Sequence, residues 1–380
     1  MRRTIFEPEH DHFRESVASF LRAEAAPHAD AWEEAGQWPR EFMVAAARQN
    51  MVGFEVPESY GGLGLSDFRF NVVIDEEVAY AGAVGDGFMM QNDILAPYLL
   101  SLTNDEQKQR WLPPFARGEL IAAIAMTEPG AGSDLQGMTC SAKRDGDGWV
   151  LNGTKTFVTG GIMADLVIVA ARTDPAGGKN GFSLFGVEAD TPGFARGRKL
   201  DKVGRWAQDT AELFFDDAQV PAENLLGEVG QGFPYLMTNL PRERLSMAVS
   251  AVAQAEHALE ITLAYVKERT AFGTPIGSFQ HNRFALAELV TKTQAARVYI
   301  DGCIAALVAG ELTAAEAAGA KAWTTDLQCE VADRCVQLHG GYGYMREYEI
   351  SRLWRDARVQ RIYGGTNEIM YEIVGRSLGL

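Results

Sequence analysis

DGDGWVLNGTKTFVTGGIMADLVIVAARTDPAGGKNGFSLFGV, residues 145–187, is the part of the sequence that indicates the fold class most strongly. Short runs of β-branched and aromatic residues, such as Leu166–Ala170 and Phe182–Val187, lie between turn sequences that include Asn152-Gly153 and Gly177–Gly181. Turn dipeptides at strand-length spacing are typical of an antiparallel sheet. The middle of the chain is therefore predicted to be β-rich, and a further short run, Leu213–Phe215, extends the pattern.

Helical patterns lie on both sides of this β-rich part. From Pro8 to about Gly118 apolar residues recur at helical spacing, and the alanine-rich residues 305–322 also favour helix. After Gly232 one apolar stripe is formed by Leu245, Ala248, Val252, Ala255 and Leu259. The order helical, β, helical excludes a Rossmann fold, in which strands and helices alternate. We predict an α+β fold with a helical domain at 1–121, a β-domain at 122–227 and a second helical domain at 228–380.

Composition excludes several classes of protein. The 380 residues carry 35 basic and 51 acidic side chains, for a net charge of −16, which argues against nucleic-acid binding and against a basic membrane-surface helix. No apolar run approaches the roughly 20 residues that span a bilayer, and no secretory segment is visible at the N-terminus. The four cysteines form no CxxC pair, which fits reduced thiols. We expect an acidic, globular, cytoplasmic protein without an integral membrane segment.

Two segments of the β-rich part have compositions that core packing does not explain. Residues 125–134, AMTEPGAGSD, form a turn of small residues whose N–H groups and hydroxyls can approach a ligand, although a plain surface turn would look the same. Residues 152–161, NGTKTFVTGG, place Phe157 between hydroxyls, which suits a planar cofactor or a hairpin with a buried Phe. Both segments are candidate binding sites with a structural alternative.

Two more candidate segments lie in the C-terminal third. Arg269 offers a guanidinium suited to a pyrophosphate, or simply a solvated charge at a helix end. Residues 337–344, QLHGGYGY, and 363–368, YGGTNE, contain glycine pairs, which helices tolerate where a ligand or another backbone comes close. His339 could be a catalytic base, but a structural hydrogen bond is the simpler interpretation. With no His/Cys/Asp cluster around it, no metal site is predicted.

Six segments resemble, in order and spacing, the motifs of the acyl-CoA dehydrogenase family: MTEPGAGSD, NGTKTFVTGG, RTAFG with the following Gln280, QLHGGYGY, RDARVQ and GGTNEI. The resemblance covers essentially the whole chain. It implies a flavoprotein that introduces a double bond between the α and β carbons of an acyl thioester. It also implies an N-terminal helical domain, a central antiparallel β-domain, a C-terminal four-helix bundle, a homotetramer built as a dimer of dimers, and electron-transferring flavoprotein as electron acceptor.

Carried over by position, the resemblance implies which residues contact cofactor and substrate. The flavin ring would lie against Ile124–Ser133 and Phe157–Thr159, with Thr127 and Thr159 at its edge. Contacts to FAD are expected from Met126, Thr127, Gly132, Ser133, Phe157, Val158, Thr159, Arg269, Phe272, Gln280, Gln337, Gly340, Gly341, Thr366, Asn367 and Glu368. Contacts to the substrate are expected from Ser133, Arg244, Gly364 and Gly365.

The catalytic base departs from the commonest family pattern. Many members carry a glutamate directly before the Gly-Thr of the C-terminal motif, where this chain has Gly364. The long-chain and isovaleryl branches place the glutamate on an earlier helix directly before an arginine, which matches Glu243-Arg244. The resemblance therefore implies Glu243 as the base and the Gly364 N–H as a donor to the thioester oxygen. Without the resemblance, Pro241 and Glu243 would equally fit the first turn of a helix, where a carboxylate favours the helix dipole.

The sequence leaves other functions open. A thioester carried on acyl carrier protein, or a branched short-chain acyl-CoA, would use the same catalytic residues. A non-catalytic, flavin-free scaffold of the same fold would use only the assembly surface, but the presence of Glu243 favours an enzyme. The LPRERL and GGTNEIM segments look most like the long-chain branch, which implies conversion of a medium to long acyl-CoA to the trans-2-enoyl-CoA in fatty acid β-oxidation.

Overall fold

A computed structural model of the chain describes residues 3–82 and 84–380. Its N-terminal part is helical, with α1 (Pro8–Glu24), α2 (Ala29–Ala35), α3 (Arg40–Ala47), α4 (Phe68–Ala81), α5 (Gly87–Met89), α6 (Ala96–Leu102) and α7 (Asp105–Ala116). A π-helical segment, Met90–Leu95, joins α5 directly to α6. Helix α7 begins at a capping box in which Asn104 and Gln107 bond each other's backbone N–H groups, which fixes where this helix starts.

The middle of the chain folds into one eight-stranded sheet. Its strands are β1 (Ala122–Ala125), β2 (Ser141–Asp145), β3 (Gly148–Thr159), β4 (Leu166–Arg172), β5 (Phe182–Glu188), β6 (Phe194–Lys199), β7 (Thr210–Pro221) and β8 (Leu225–Leu226). The order across the sheet is β6-β7-β3-β2-β4-β5-β8, with β1 paired to β4. The three runs that the sequence identifies as strands lie within β4, β5 and β7.

The sheet is mostly antiparallel, as predicted, but two of its strand pairings are parallel. Strand β1 pairs with β4 in parallel, and Ser141 of β2 is a parallel partner of Arg172. Turn dipeptides identify only strands that are joined by hairpins, whereas β1 and β4 are separated by the β2–β3 hairpin. Strand β4 is buried on both faces, since alternate residues enter two different cores. This burial explains its unbroken apolar run.

The C-terminal part is helical again. Its helices are α8 (Gly232–Glu268), α9 (Gln280–Val308), α10 (Ala314–His339), α11 (Glu349–Ala357) and α12 (Asn367–Ser377), and a two-stranded hairpin, β9 (Thr270–Ala271) and β10 (Thr274–Pro275), joins α8 to α9. The predicted apolar stripe of α8 is buried in the core that the helices share. No helix among the described residues is both long and apolar enough to cross a membrane.

Two helix expectations need correction. Helix α8 runs through Pro241, so Glu243 lies well inside a 37-residue helix and cannot be a first-turn charge. The alanine-rich stretch is not one helix, because Gly310 adopts a left-handed conformation and Thr313 caps a new helix.

The four-helix bundle has only three long helices, α8 to α10, and the short α11 and α12 pack against α10. Glycine pairs at 340–341 and 364–365 interrupt the final helical stretch.

Candidate active site

A cleft of about 440 Å³ lies where the two helical parts meet the sheet. The π-helical segment contributes Met90 and Ile94, and α8 contributes Leu240 together with the expected base. The cleft brings together eleven of the residues expected to contact cofactor or substrate: Met126, Thr127, Gly132, Ser133, Phe157, Val158, Thr159, Glu243, Arg244, Gly364 and Gly365. Segments that are far apart in sequence thus form one concave surface.

Glu243 lines this cleft and is only 3% exposed. Burial raises the pKa of its carboxyl to about 7, although a hydrogen bond from the Tyr98 hydroxyl and the charge of Arg244 act in the opposite direction. A carboxylate with a pKa near neutral is well matched to general-base catalysis, because it is both ionised and basic at the working pH. Its position inside α8 fixes the side chain in the wall of the cleft.

Gly364 faces Glu243 from the C-terminal motif. Its φ of +66° favours glycine, and a Cβ at this position would overlap the sulfur of Met247. Met247, one turn along α8 from Glu243, therefore fills the place where other family patterns put a glutamate side chain. The Arg244 Nε donates a hydrogen bond to the Gly364 carbonyl at 3.3 Å, while none of the described residues accepts a hydrogen bond from the Gly364 N–H. That N–H remains available to a ligand.

Lys321 holds the Gly364–Asn367 segment from behind. Its ammonium donates to the Gly365 carbonyl at 2.8 Å and to the Asn367 Oδ1 at 3.0 Å, and burial lowers the pKa of the amine to about 8. Sequence reasoning missed this residue, although one lysine inside the alanine-rich start of α10 is an available signal. Asn367, expected to contact FAD, is buried, and its amide also donates to the Ala322 carbonyl, so it fixes the segment to α10.

Phe157 provides a test of whether the cleft suits a planar cofactor. The side chain is 68% exposed and the residue adopts a φ of +57°, which is costly for a non-glycine residue. The alternative of a hairpin with a buried Phe is therefore wrong. The turn at residues 125–134 is held to this strand, because Lys155 bonds both Glu128 and the Met126 carbonyl. The same turn is open at Gly132, where a Cβ would meet nothing within 4 Å. An exposed ring beside an open, anchored backbone fits a flavin.

A second pocket of about 470 Å³ lies at the end of α10, away from Glu243. It is lined by Arg269, Gln337, Gly340 and Gly341, four of the residues expected to bind the adenine–pyrophosphate half of FAD. His339 lies between them, and its Nδ1 donates to the Cys335 carbonyl at 2.8 Å while its ring stacks on Tyr265, which supports its structural interpretation.

Five expected cofactor contacts line neither cavity of this protomer: Asn367, which fixes the segment to α10, and four residues near the surface. Phe272 is 97% exposed at the tip of the β9–β10 hairpin, and Gln280 is exposed at the start of α9. Thr366 caps α12 by accepting from the Ile369 N–H, and Glu368 is exposed in the first turn of that helix. Their role toward FAD stays a prediction.

The fold and the two cavities fit one class of protein, a flavin-dependent oxidoreductase whose cleft is lined by a buried carboxylate and an exposed aromatic ring. Three family models match consecutive parts of the chain: the acyl-CoA dehydrogenase N-terminal domain at residues 7–119, the middle domain at 123–218 and the C-terminal domain at 230–379. The chain belongs to the acyl-CoA dehydrogenase family, and it is an FAD-dependent acyl-CoA dehydrogenase.

Individual relatives agree with this assignment. The chain is 48% identical to the mitochondrial long-chain specific acyl-CoA dehydrogenase of Sus scrofa, over 99% of this chain and 88% of that protein. The crystal structure of an acyl-CoA dehydrogenase from Geobacillus kaustophilus is 49% identical, with a TM-score of 0.97 and full coverage of both chains. A glutaryl-CoA dehydrogenase from Mycobacterium smegmatis, solved in complex with FADH2, is 26% identical with a TM-score of 0.91, covering 98% of this chain and 95% of that one.

Proposed function

We propose that this acyl-CoA dehydrogenase oxidises long, straight acyl chains and uses Glu243 as the base that removes the α-proton. The observation that carries the proposal is the pairing of two positions: Glu243 is buried in the cleft wall, while at position 364 a glycine and Met247 leave no space for a carboxylate. The cleft lining contains a second buried carboxylate, Asp86, but it is paired with Arg205 at 2.6 Å, which leaves Glu243 as the candidate base.

Each residue of the cleft has a part in proton removal. The α-hydrogen of a thioester is a weak acid, so the developing negative charge on the thioester oxygen must be stabilised while the proton leaves. The Gly364 N–H donates to that oxygen, and Glu243 accepts the proton at a carboxylate oxygen. Arg244 bonds the Gly364 carbonyl and so helps to hold the backbone that carries this N–H.

FAD, when bound, supplies the acceptor for the hydride that leaves the β carbon. Thr127 and Phe157–Thr159 would hold the ring of the cofactor, because they form the exposed, anchored face of the cleft. Arg269 and Gln337–Gly341 would hold the diphosphate and adenine, because a guanidinium bonds phosphate oxygens in pairs and the glycines let the backbone come close. We further propose electron-transferring flavoprotein as the partner that accepts the electrons.

Glu243→Gln tests the base. The amide keeps the shape and the hydrogen bond from Tyr98 but cannot accept the α-proton, so reduction by an acyl-CoA under anaerobic conditions should slow by at least ~100-fold. Bound flavin, measured by absorbance, and acyl-CoA affinity should be retained. The matched control is Glu260→Gln, an exposed glutamate on the same helix, which should reduce at the normal rate. Normal reduction in Glu243→Gln would show that the base lies elsewhere.

The lining of the cleft supports the choice of acyl chain. Part of it is apolar, namely Met89, Met90, Ile94, Phe233, Met237 and Leu240, and the three methionines are flexible. Such a surface can follow a long hydrocarbon, and each additional buried methylene adds about 0.8 kcal/mol. Anaerobic flavin bleaching with acyl-CoAs from short branched to long straight chains should show kcat/KM rising with chain length. A maximum at a branched short chain would support the isovaleryl-like alternative instead.

The proposal extends to the assembly and the location. We propose a homotetramer, because one edge of the Arg269 pocket and the hairpin tip with Phe272 are exposed in a single protomer. Sedimentation of the FAD-loaded protein should give four chains, and a monomer would contradict it. The cytoplasmic location stays a prediction, because the Sus scrofa relative is mitochondrial by name.

A further inference from the structure

Tyr98 lies directly behind the proposed base. It is fully buried on α6, and its hydroxyl donates a hydrogen bond to the Glu243 Oε1 at 3.1 Å. The cleft lining includes Glu243 but not Tyr98, so the phenol contacts the carboxylate from the protein side. We propose that Tyr98 is a positioning residue for the α-proton abstraction: it keeps one carboxylate oxygen of Glu243 engaged and directs the other one to the substrate.

The backbone that carries Tyr98 is firmly anchored. The Gln91 amide bonds both the N–H and the carbonyl of Ala122, and Asn92 bonds the Gly53 N–H and the Met51 carbonyl. These four hydrogen bonds hold the π-helical segment that immediately precedes α6, and π-helical turns are frequent at functional sites because they redirect the residues that follow. Since the segment cannot shift easily, the direction of the Tyr98 hydroxyl is fixed before substrate arrives.

The spacing of side chains along this segment gives the same result. Met90, Ile94 and Tyr98 recur at four-residue intervals, and the first two line the cleft. The ring of the third member, Tyr98, packs in the hydrophobic core, while its hydroxyl reaches Glu243 on α8. A fully buried hydroxyl aimed at a buried carboxylate is costly to leave unpaired, so each group requires the other.

The charges around Glu243 determine how the hydrogen bond acts. Arg244 lies next to it on α8, and the other ionisable groups in the cleft lining are Asp86, Asp134, Tyr363 and Arg376. Burial and the neighbouring carboxylate raise the pKa of Tyr98 well above its usual value, so the phenol stays protonated and acts as the donor. A donated hydrogen bond favours the ionised form of Glu243 and therefore opposes the effect of burial on it.

The inference rests on the proposed role of Glu243 and adds that its two carboxylate oxygens have different roles. Oε1 accepts from Tyr98 and Oε2 is the oxygen left for the α-proton. When Glu243 takes the proton on Oε2, the carboxyl loses its charge and the hydrogen bond from Tyr98 weakens. Tyr98 therefore stabilises the base before the reaction more than after it, which lowers the pKa of the base toward the working pH.

Tyr98→Phe tests this inference in the FAD-loaded enzyme. In the unaltered protein the rate of anaerobic flavin reduction should rise with pH through about 7, as Glu243 ionises. Loss of one hydrogen bond to a charged group corresponds to roughly one to two pH units, so the profile of Tyr98→Phe should move upward by about one unit. The rate should fall about tenfold at pH 6.5 and by less than threefold at pH 9.

Tyr235→Phe is the matched control. Tyr235 lies in the first turn of α8, where its hydroxyl accepts from the Glu228 N–H just before the helix, and it is outside the cleft lining, so its profile should coincide with that of the unaltered protein. Placing 3-fluorotyrosine at position 98 preserves the packing and strengthens the donor, and it should move the profile downward. This second substitution keeps the test valid if Tyr98→Phe is poorly folded.

A measurement without turnover separates ionisation from hydride transfer. A 3-oxoacyl-CoA has an acidic α-proton, which can pass to Glu243 on binding and leave an enolate that absorbs in the ultraviolet. Because the proton stays on Glu243, a base of higher pKa takes it more completely, so the ratio of enolate to neutral ligand at pH 8 should rise by up to about tenfold in Tyr98→Phe. A uniform rate loss with an unshifted pH profile and an unchanged enolate ratio would overturn the inference, because packing alone would produce it. An inactive Glu243→Gln beside an unshifted Tyr98→Phe would refute only the role of Tyr98, whereas an active Glu243→Gln would refute the base itself.

Discussion

The cleft around Glu243 and the pocket around Arg269 differ in how completely one protomer encloses them. Glu243 and Arg244 are buried. Burial favours the neutral form of each group, so it raises the pKa of Glu243 and lowers the pKa of Arg244. Arg269, in contrast, is exposed, and the hairpin tip that follows it is almost fully accessible. Burial strengthens hydrogen bonds and changes basicity, whereas an exposed guanidinium keeps its charge and attracts phosphate. The enclosed region is suited to proton transfer and the open one to affinity.

Gly364→Ala alters the enclosed region and should have the largest effect on the rate of flavin reduction. The methyl group would overlap Met247, and the alanine would have to keep a left-handed backbone conformation. The N–H that is proposed to bind the thioester oxygen should therefore move. Removal of one such donor lowers rates by about 100-fold or more. Stopped-flow flavin reduction measures the loss, and Gly375→Ala, where a Cβ meets nothing within 4 Å, is the control. Part of the rate should return in Met247→Ala, Gly364→Ala.

Arg269→Ala alters the open region. Hydrogen bonds to charged groups contribute about 1.5–3 kcal/mol, so FAD should bind roughly 10- to 100-fold more weakly. At saturating FAD the reduction rate should remain within about twofold of normal, because the base and its neighbours are untouched. Fluorescence titration of flavin-free protein gives the affinity, with the exposed Lys267→Ala as control. An equal loss in reduction rate would show that the two regions are not separable.

Glu243→Gln should make the protein more stable at alkaline pH. The pKa of Glu243 is raised in the folded state, so its ionised form opposes folding, and stability falls as pH rises through about 7. A neutral glutamine removes this loss, which amounts to about 3 kcal/mol above pH 8. Tm should therefore increase by a few degrees at pH 8.5 and hardly change at pH 5. Equal Tm shifts at both pH values would contradict the direction of the pKa change.

Phe272→Ser should have the smallest effect on the protomer. The side chain is 97% exposed, so the free energy of unfolding of an isolated protomer should change by less than about 0.5 kcal/mol. If the open region is completed by another copy, the same substitution should shift sedimentation toward smaller assemblies. Unchanged assembly would mean that the hairpin tip takes no part in subunit contacts.

The sequence predicted most of the local structure because local patterns determine it. Alternation and turn dipeptides located β4, β5 and β7, and the apolar stripe located the buried face of α8. The parallel pairing of β1 with β4 left no such trace, since it joins strands with a hairpin between them. The start of α8 was ambiguous for a related reason: Pro241 is compatible with a helix start, and only packing along the whole helix decided otherwise.

The motifs of the sequence by themselves determined the family, the flavin chemistry and the choice between Glu243 and Gly364 as candidate positions for the base. The tertiary structure alone decided what surrounds them. Tyr98 is 145 residues from Glu243, and Lys321 is 44 residues from Gly365, so no motif links either pair. Burial, hydrogen-bond direction and pKa depend on which atoms meet in space. The sequence therefore specifies the reacting groups, and the fold sets their basicity and orientation.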